Sequence, residues 1–400
     1  MNVYERRGVR RIVSAAGPKT RLSGSIMPPQ VVEAMAEASR SLVDMEHLQA
    51  NASDTIARYT GAEAGLVTTG AAAGLTLATA SCVTGLDIVK MEKLPETSGV
   101  KNEVVIARHH RNPYDHAIRA AGVKLVEAGL NERGLGVGSR TVEGWEYEAA
   151  ITERTAAIAY FARPTSTPAL SEVIKVAKDH DVPVIVDAAA ELPPASNLRS
   201  FIAQGASAVT FSGGKALRGP QASGILCGTR ELVMGAVLQQ LDMDCRFELW
   251  NPPPSLIDKS RLRGIPRHGI GRGFKAGKEE IVGLLTALEL FANADEEQER
   301  SKLETKARAV VEGLKGVEGV EAVLAASPSG SIPLARVFFT RARGQDYMTR
   351  IDRYLKSKDP PVYLDDGRLE EMTLQVNPFN LSDEDVSIIV QRVKEAVSSV

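Results

Sequence analysis

"VTFSGGKALRGPQASGILCG", residues 209–228, leaves an apolar strand through Ser212-Gly213-Gly214, reaches Lys215, and passes Arg218-Gly219-Pro220-Gln221 into a second apolar run. A surface lysine needs no such setting. A lysine that must meet a fixed partner through a turn reserved for glycine does need it. Upstream, "VPVIVDAAAELPP" (182–194) is apolar as far as Asp187. That puts an acid at the carboxyl end of a buried strand, where open α/β sheets bind their ligands. Asp187 and Lys215 can therefore converge from neighbouring strands. Such a pair suits pyridoxal phosphate, with the lysine as Schiff-base partner and the acid holding the pyridine nitrogen protonated. A structural Asp–Lys pair is the competing reading.

Two further stretches bear on that choice. "GAEAGLVTTGAAAGL" (61–75) reads as a strand, a Thr-Thr-Gly turn and a helix of small residues. Free N–H groups at a helix start, with hydroxyls beside them, make an anion site for a cofactor phosphate. The same residues would also serve a tightly packed Ala/Gly helix. "ARHHRNPYDHAIR" (107–119) offers His109 or His110 as a flat cover for a cofactor ring or as an acid/base. A metal on His109, His110, Asp115 and His116 is the rival, but no other residue completes a ligand set, so no metal is expected.

The totals narrow the class. The 400 residues are 44% hydrophobic, enough for a large core in two domains or one large α/β unit. Lys+Arg 48 against Asp+Glu 50 leaves a charge of −2, which gives no global argument for a nucleic-acid or membrane partner. Cys82, Cys227 and Cys245 are widely spaced and read as buried thiols in a reducing compartment. The start "MNVYERRGVRRIV" is too charged for a signal peptide, and no apolar run approaches the length of a membrane span. The expectation is a soluble, cytoplasmic protein.

Apolar runs at Leu66–Thr69, Val104–Arg108, Lys124–Ala128, Ala156–Ala162, Pro183–Asp187, Ala208–Ser212 and Gly224–Cys227 alternate with helical patterns. This predicts a mostly parallel sheet covered on both faces. After "WNPPPS" (250–255), one long helix is expected from Lys278 to about Lys315. Strands follow at Ala335–Thr340 and Met372–Val376, then a closing helix at Asp383–Val397 started by Ser382. The predicted organisation is an arm over 1–25, a large domain over 26–270, and a long helix with a small α+β domain over 271–400.

"FSGGKALRGPQASGILCG", "VDAAAELPP", "GAEAGLVTTGAAAGLTLATASCVTG", "SAAGPKTRLSG" and "GIGRGFKAGKEEIVGLLTALE" together resemble the selenocysteine-synthase-like branch of the fold-type I pyridoxal phosphate enzymes, which share the aspartate aminotransferase-like fold. Within that branch they are most similar to the D-glucosaminate-6-phosphate ammonia-lyase group. The resemblance implies pyridoxal 5′-phosphate as cofactor, Lys215 as Schiff-base lysine and Asp187 on the ring nitrogen. It implies Thr69, Gly70 and Ala71 as the phosphate loop, Ser212 facing the phosphate, and His110 stacked on the ring. Arg272 and Lys275 are expected near the neighbouring subunit's site, in a homodimer or larger homo-oligomer.

The tRNA-specific selenium transferases carry an RNA-binding region ahead of the catalytic one, whereas "RRIVSAAG" opens the catalytic region here, so no nucleic-acid partner is expected. Arg163, Arg218 and Arg368 are candidates for anchoring an amino-acid substrate through their planar forks, with Arg336 an alternative to Arg368. The expected activity is an ammonia-lyase acting on a 2-amino-3-hydroxy acid. The alternatives are a racemase/epimerase or aldolase, then a selenium transferase or a non-catalytic binding protein.

Overall fold

The structure, a computed structural model, describes residues 2–130, 141–340 and 344–400. It divides into two compact units, Met27–Ala292 and a smaller one made of Met1–Ile26 with Asn293–Val400. The chain opens in the smaller unit with β1 (Val13–Ala15). The larger unit then supplies β2 (Ala64–Thr68), β3 (Glu103–Ala107), β4 (Lys124–Ala128), β5 (Thr155–Phe161), β6 (Val184–Asp187), β7 (Ala208–Ser212) and β8 (Gly224–Gly228).

These seven strands form one sheet in the order β2-β8-β7-β6-β5-β3-β4. Only β8 runs against its neighbours, pairing antiparallel with both β2 and β7. The carboxyl ends of β2, β7, β6, β5 and β3 therefore share one edge with the start of β8. Strands β2, β3, β5, β6 and β8 are buried along their whole length, as continuous Val, Ile and Ala runs between two helical layers must be. Alternate residues feed separate cores: Val67, Val105 and Val186 on one face, Leu66, Ile106 and Ile185 on the other.

The helix Ala71–Thr84 leaves β2 at that shared edge. Its small residues let it lie close on the sheet: a Cβ on Gly74 would stand 2.8 Å from Thr210 Cγ2. Thr76 adds a hydrogen bond from its hydroxyl to the Ala117 carbonyl (2.7 Å).

Where one long helix was expected after Lys278, there are two, Lys278–Ala292 and Glu296–Leu314. Asp295 starts the second by accepting from the Glu297 and Gln298 N–H groups (3.1 and 3.0 Å). Ile281, Leu284 and Leu288 of the first belong to the core of the larger unit, so that unit runs past residue 270 to Ala292. Residues 1–25 are not a free arm either. In the smaller unit, β1 pairs parallel with β11 (Val362–Leu364), which follows β9 (Val320–Ala326) and β10 (Pro333–Phe339). With β12 (Thr373–Val376), the strands β9 and β10 form an antiparallel sheet, β12-β10-β9. Ser382 starts the last helix, Asp383–Ser399, through a reciprocal cap with Asp385.

Candidate active site

Lys215 sits three residues beyond β7, in a turn held by its own backbone. The Gly213 N–H donates to the Ser223 carbonyl and the Gly219 N–H to the Gly213 carbonyl, both at 2.9 Å. Glycine is required here by crowding. A Cβ on Gly213 would fall 2.1 Å from Ser223 Oγ, and one on Gly214 would fall 2.7 Å from the Gln221 Cα. The left-handed conformation in this turn falls on Arg218 (φ 56°), an uncommon setting for a residue with a Cβ.

Asp187 ends β6, between Phe161 of β5 and Thr210 of β7 in register. It is 9% exposed and accepts a hydrogen bond from the Ala189 N–H (2.9 Å). Burial pushes its carboxyl above the usual range, against that N–H and the charges of Lys215 and Arg163. Burial also pulls the Lys215 amine down, with Asp187 and Glu191 opposing. Glu191 is a member of this group that the motifs did not single out. Burial lifts its carboxyl to about 7, and the charge of Asp187 adds to the rise while Arg163 and Lys215 resist it. The signal was present as a second acid four residues after the first, in "DAAAE".

Arg163, two residues past β5, is itself exposed, yet its charge reaches Asp187, Glu191 and His110. His110 follows β3 and is 6% exposed; among the described residues neither ring nitrogen has a hydrogen-bond partner. Burial, with help from His109 and Arg163, lowers its pKa to about 4, so it is a neutral ring at physiological pH. It meets Tyr160 edge to face at 4.9 Å. His109 donates from Nε2 to the Thr167 carbonyl (2.7 Å), which engages one end of its ring. The four residues of the metal alternative do not gather: Asp115 is taken by Arg111 (2.6 Å) and Arg119 (3.2 Å), and Arg119 also meets His116. Among the described residues no cluster of three or more His, Cys, Asp or Glu forms a metal site.

Thr69 and Gly70 are half-buried and Ala71 is buried at the start of the helix Ala71–Thr84. Gly70 is its N-cap and supplies no side-chain hydrogen bond, so no side chain at the cap takes up the first N–H groups. Gly224, the first residue of β8, faces this point: a Cβ there would lie 2.4 Å from the Gly70 carbonyl carbon and 2.6 Å from the Ala71 nitrogen. Ser212 closes β7, half-buried. Arg272 stands elsewhere in the larger unit, on Ile270–Phe274, paired with Asp242 (2.5 Å). Its neighbour Gly271 packs on Leu77, farther along the helix Ala71–Thr84 than its start. Arg368 belongs to the smaller unit, paired with Glu371 (2.8 Å).

These residues fit the cofactor expected from the sequence. Pyridoxal phosphate asks for an amine at its carbonyl carbon, a carboxylate at its ring nitrogen, a flat cover and N–H donors for its phosphate. The amine of Lys215 and the carboxylate of Asp187 are both buried enough to have been moved toward neutrality. His110 has a ring whose nitrogens are unengaged, leaving its face as its useful surface. The helix start at Gly70 lies against Gly224, where no side chain could stand. The arrangement can hold an anionic, planar, electrophilic ring and move a proton beside it.

Residues 19–248 match the family described as SelA, L-seryl-tRNA selenium transferase. The chain is 32% identical to a 5′-C-glycyluridine monooxygenase-decarboxylase of a Streptomyces species, over 98% of this chain and 91% of that one. It is 28% identical to the D-glucosaminate-6-phosphate ammonia lyase of Salmonella typhimurium, over 98% and 97%. A solved structure of D-glucosaminate-6-phosphate ammonia-lyase superposes with a TM-score of 0.79 at 27% identity, covering 100% of this chain and 98% of that one.

Proposed function

The chain belongs to the L-seryl-tRNA selenium transferase family and has the fold-type I architecture with pyridoxal 5′-phosphate as cofactor, and from that premise we propose that it is an ammonia-lyase acting on a 2-amino-3-hydroxy acid. The observation behind this reading is the superposition over the whole chain on a lyase of that kind, D-glucosaminate 6-phosphate being the substrate in that protein's name. When bound, the cofactor supplies a ring that takes up the electron pair left on Cα after proton removal.

The chain's residues do the rest. Lys215 would hold the cofactor's carbonyl carbon and, once displaced by the substrate amine, would take the Cα proton, its basicity lowered by burial. Asp187 would oppose the charge of a protonated ring nitrogen, which offsets the cost of its own burial. His110 would cover the ring face, and Thr69, Gly70, Ala71 and Ser212 would take the phosphate. Arg163, whose charge reaches Asp187 and Glu191, and Arg218, in the turn that carries Lys215, would anchor a substrate carboxylate; Arg368 would be a further substrate residue. Arg272 would act from the neighbouring chain of a homo-oligomer in the cytoplasm. Among the described residues no helix is long and apolar enough to cross a membrane.

Loss of the Cβ hydroxyl as water, followed by hydrolysis of the imino acid, gives a 2-keto-3-deoxy acid and ammonia. A second reading rests on the 32% identical relative, whose name combines oxygen insertion with decarboxylation. The same proton removal at Cα would begin it. One assay separates them: purified protein with cofactor and 2-amino-3-hydroxy acids, following ammonia, keto acid, chirality, dioxygen and carbon dioxide together. The lyase gives ammonia and keto acid in equal amounts with no oxygen uptake. Inversion at Cα without ammonia, or oxygen uptake matched by carbon dioxide, rejects it.

A further inference from the structure

We propose that Glu191 is the acid that protonates the oxygen leaving Cβ, a role that rests on the lyase reading above. Hydroxide is a poor leaving group, so an elimination at Cβ needs a proton delivered to that oxygen as the carbon–oxygen bond breaks. Lys215 takes the Cα proton, the pair from that C–H bond becomes the Cα–Cβ double bond, and the Cβ–O pair takes the Glu191 proton and departs as water. Glu191 is left as a carboxylate and is reprotonated from solvent.

The placement supports this role. The Glu191 backbone is pinned on both sides: its N–H donates to the Ala188 carbonyl (3.1 Å), and its own carbonyl accepts from Asn197 Nδ2 (2.6 Å). Its side chain is half-buried, and among the described residues its carboxylate accepts no hydrogen bond. The charged groups acting on it are Arg163, Asp187 and Lys215, which lie at or just beyond the carboxyl ends of the adjacent strands β5, β6 and β7. The Tyr160 phenol feels its charge in turn, and His110 packs on Tyr160. Asp187 is committed to the ring nitrogen, and two neighbouring carboxyls ionise together only at a cost. Burial lifts the Glu191 carboxyl to about 7, so it can carry a proton near neutral pH. It is the only acid of this group left over for the substrate.

The test compares holoenzyme and Glu191→Gln on two substrates that differ at Cβ: a 2-amino-3-hydroxy acid and the 3-chloro analogue, whose chloride leaves without a proton. Glu191→Gln is expected to slow turnover of the hydroxy acid by at least about 100-fold and to turn over the chloro analogue within about threefold of wild type, with the cofactor's absorbance unchanged. Equal loss on both substrates, or no loss on the hydroxy acid, overturns the proposal while the lyase stands. A wild type that eliminates chloride but releases no ammonia from hydroxy acids overturns the lyase and the acid together. A readout without cofactor or turnover adds to it: carboxyl NMR of cofactor-free protein carrying labelled glutamate should show one signal titrating near pH 7 that Glu191→Gln lacks. If every glutamate titrates in the ordinary range near 4, Glu191 is not that acid.

Discussion

The edge of the seven-stranded sheet and the surface of the smaller unit handle charge in opposite ways. In the smaller unit, Lys356 meets Asp352 at 2.5 Å, Arg368 meets Glu371 at 2.8 Å and Lys19 meets Asp365 at 3.2 Å, each pair part-exposed. Such pairs contribute little and ask nothing of a ligand. At the sheet edge, Asp187, Glu191, Lys215 and His110 are each moved toward their neutral forms by burial. A protein gains no stability by collecting such groups. Perturbed ionisation of this kind clusters at functional sites.

That contrast can be broken or sharpened by mutation. Lys215→Ala has the largest expected effect, reducing turnover to background, because the amine that holds the cofactor and takes the Cα proton is one group. Asp187→Ala should raise the barrier by about 3 kcal/mol or more, a loss of roughly 100- to 1000-fold in kcat. Near-normal turnover in that variant rejects its role.

His110 makes a prediction about stability. Its folded pKa of about 4 lies below the ordinary 6.5, so between those values the unfolded chain binds the proton more readily. The His110 contribution to stability should therefore rise with pH through that window and be lost as pH falls from about 6.5 toward 4, by up to about 3 kcal/mol. Denaturant titrations of wild type and His110→Phe across the window measure it. Glu191 and Asp187, whose carboxyls are raised, act with the opposite sign, so the His110 contribution is the difference between the two slopes; identical slopes assign it none.

Gly224→Ala is a packing test. The added methyl cannot coexist with the Gly70–Ala71 backbone, so the helix start must shift, at about 1–3 kcal/mol. Cofactor affinity should fall along with stability; a variant that loses stability but binds cofactor at full strength separates this point from the phosphate. Arg368→Ala is the smallest. Removing a part-exposed pair should change stability by less than about 0.5 kcal/mol, and only a rise in KM would make Arg368 a substrate residue.

The sheet was legible because its strands are buried on both faces and so read as unbroken apolar runs, β5 and β8 among them. Lys215 and Asp187 were legible because each sits next to such a run. Elements with weaker patterns were not. The helix Met45–Thr60 is rich in polar residues; Gln49 exchanges hydrogen bonds with the Val67 backbone, a tertiary contact that periodicity does not register. The break before Asp295 was hidden because its acidic surroundings suit a helix interior as well as a start. In the lysine turn the glycines were anticipated, but their cause is contact with Ser223 and Gln221, residues brought back by the chain's return. Glu191 was passed over because an acid in a loop has no pattern of its own; its burial and the charges around it arise only in the fold.

At this edge one lysine, Lys215, would hold pyridoxal phosphate. Reducing the purified protein with borohydride and mapping the pyridoxyl group by peptide mass spectrometry tests it directly. A single modified site, Lys215, is expected, with no adduct in Lys215→Ala. A pyridoxyl group on another lysine, or full labelling of that variant, contradicts it.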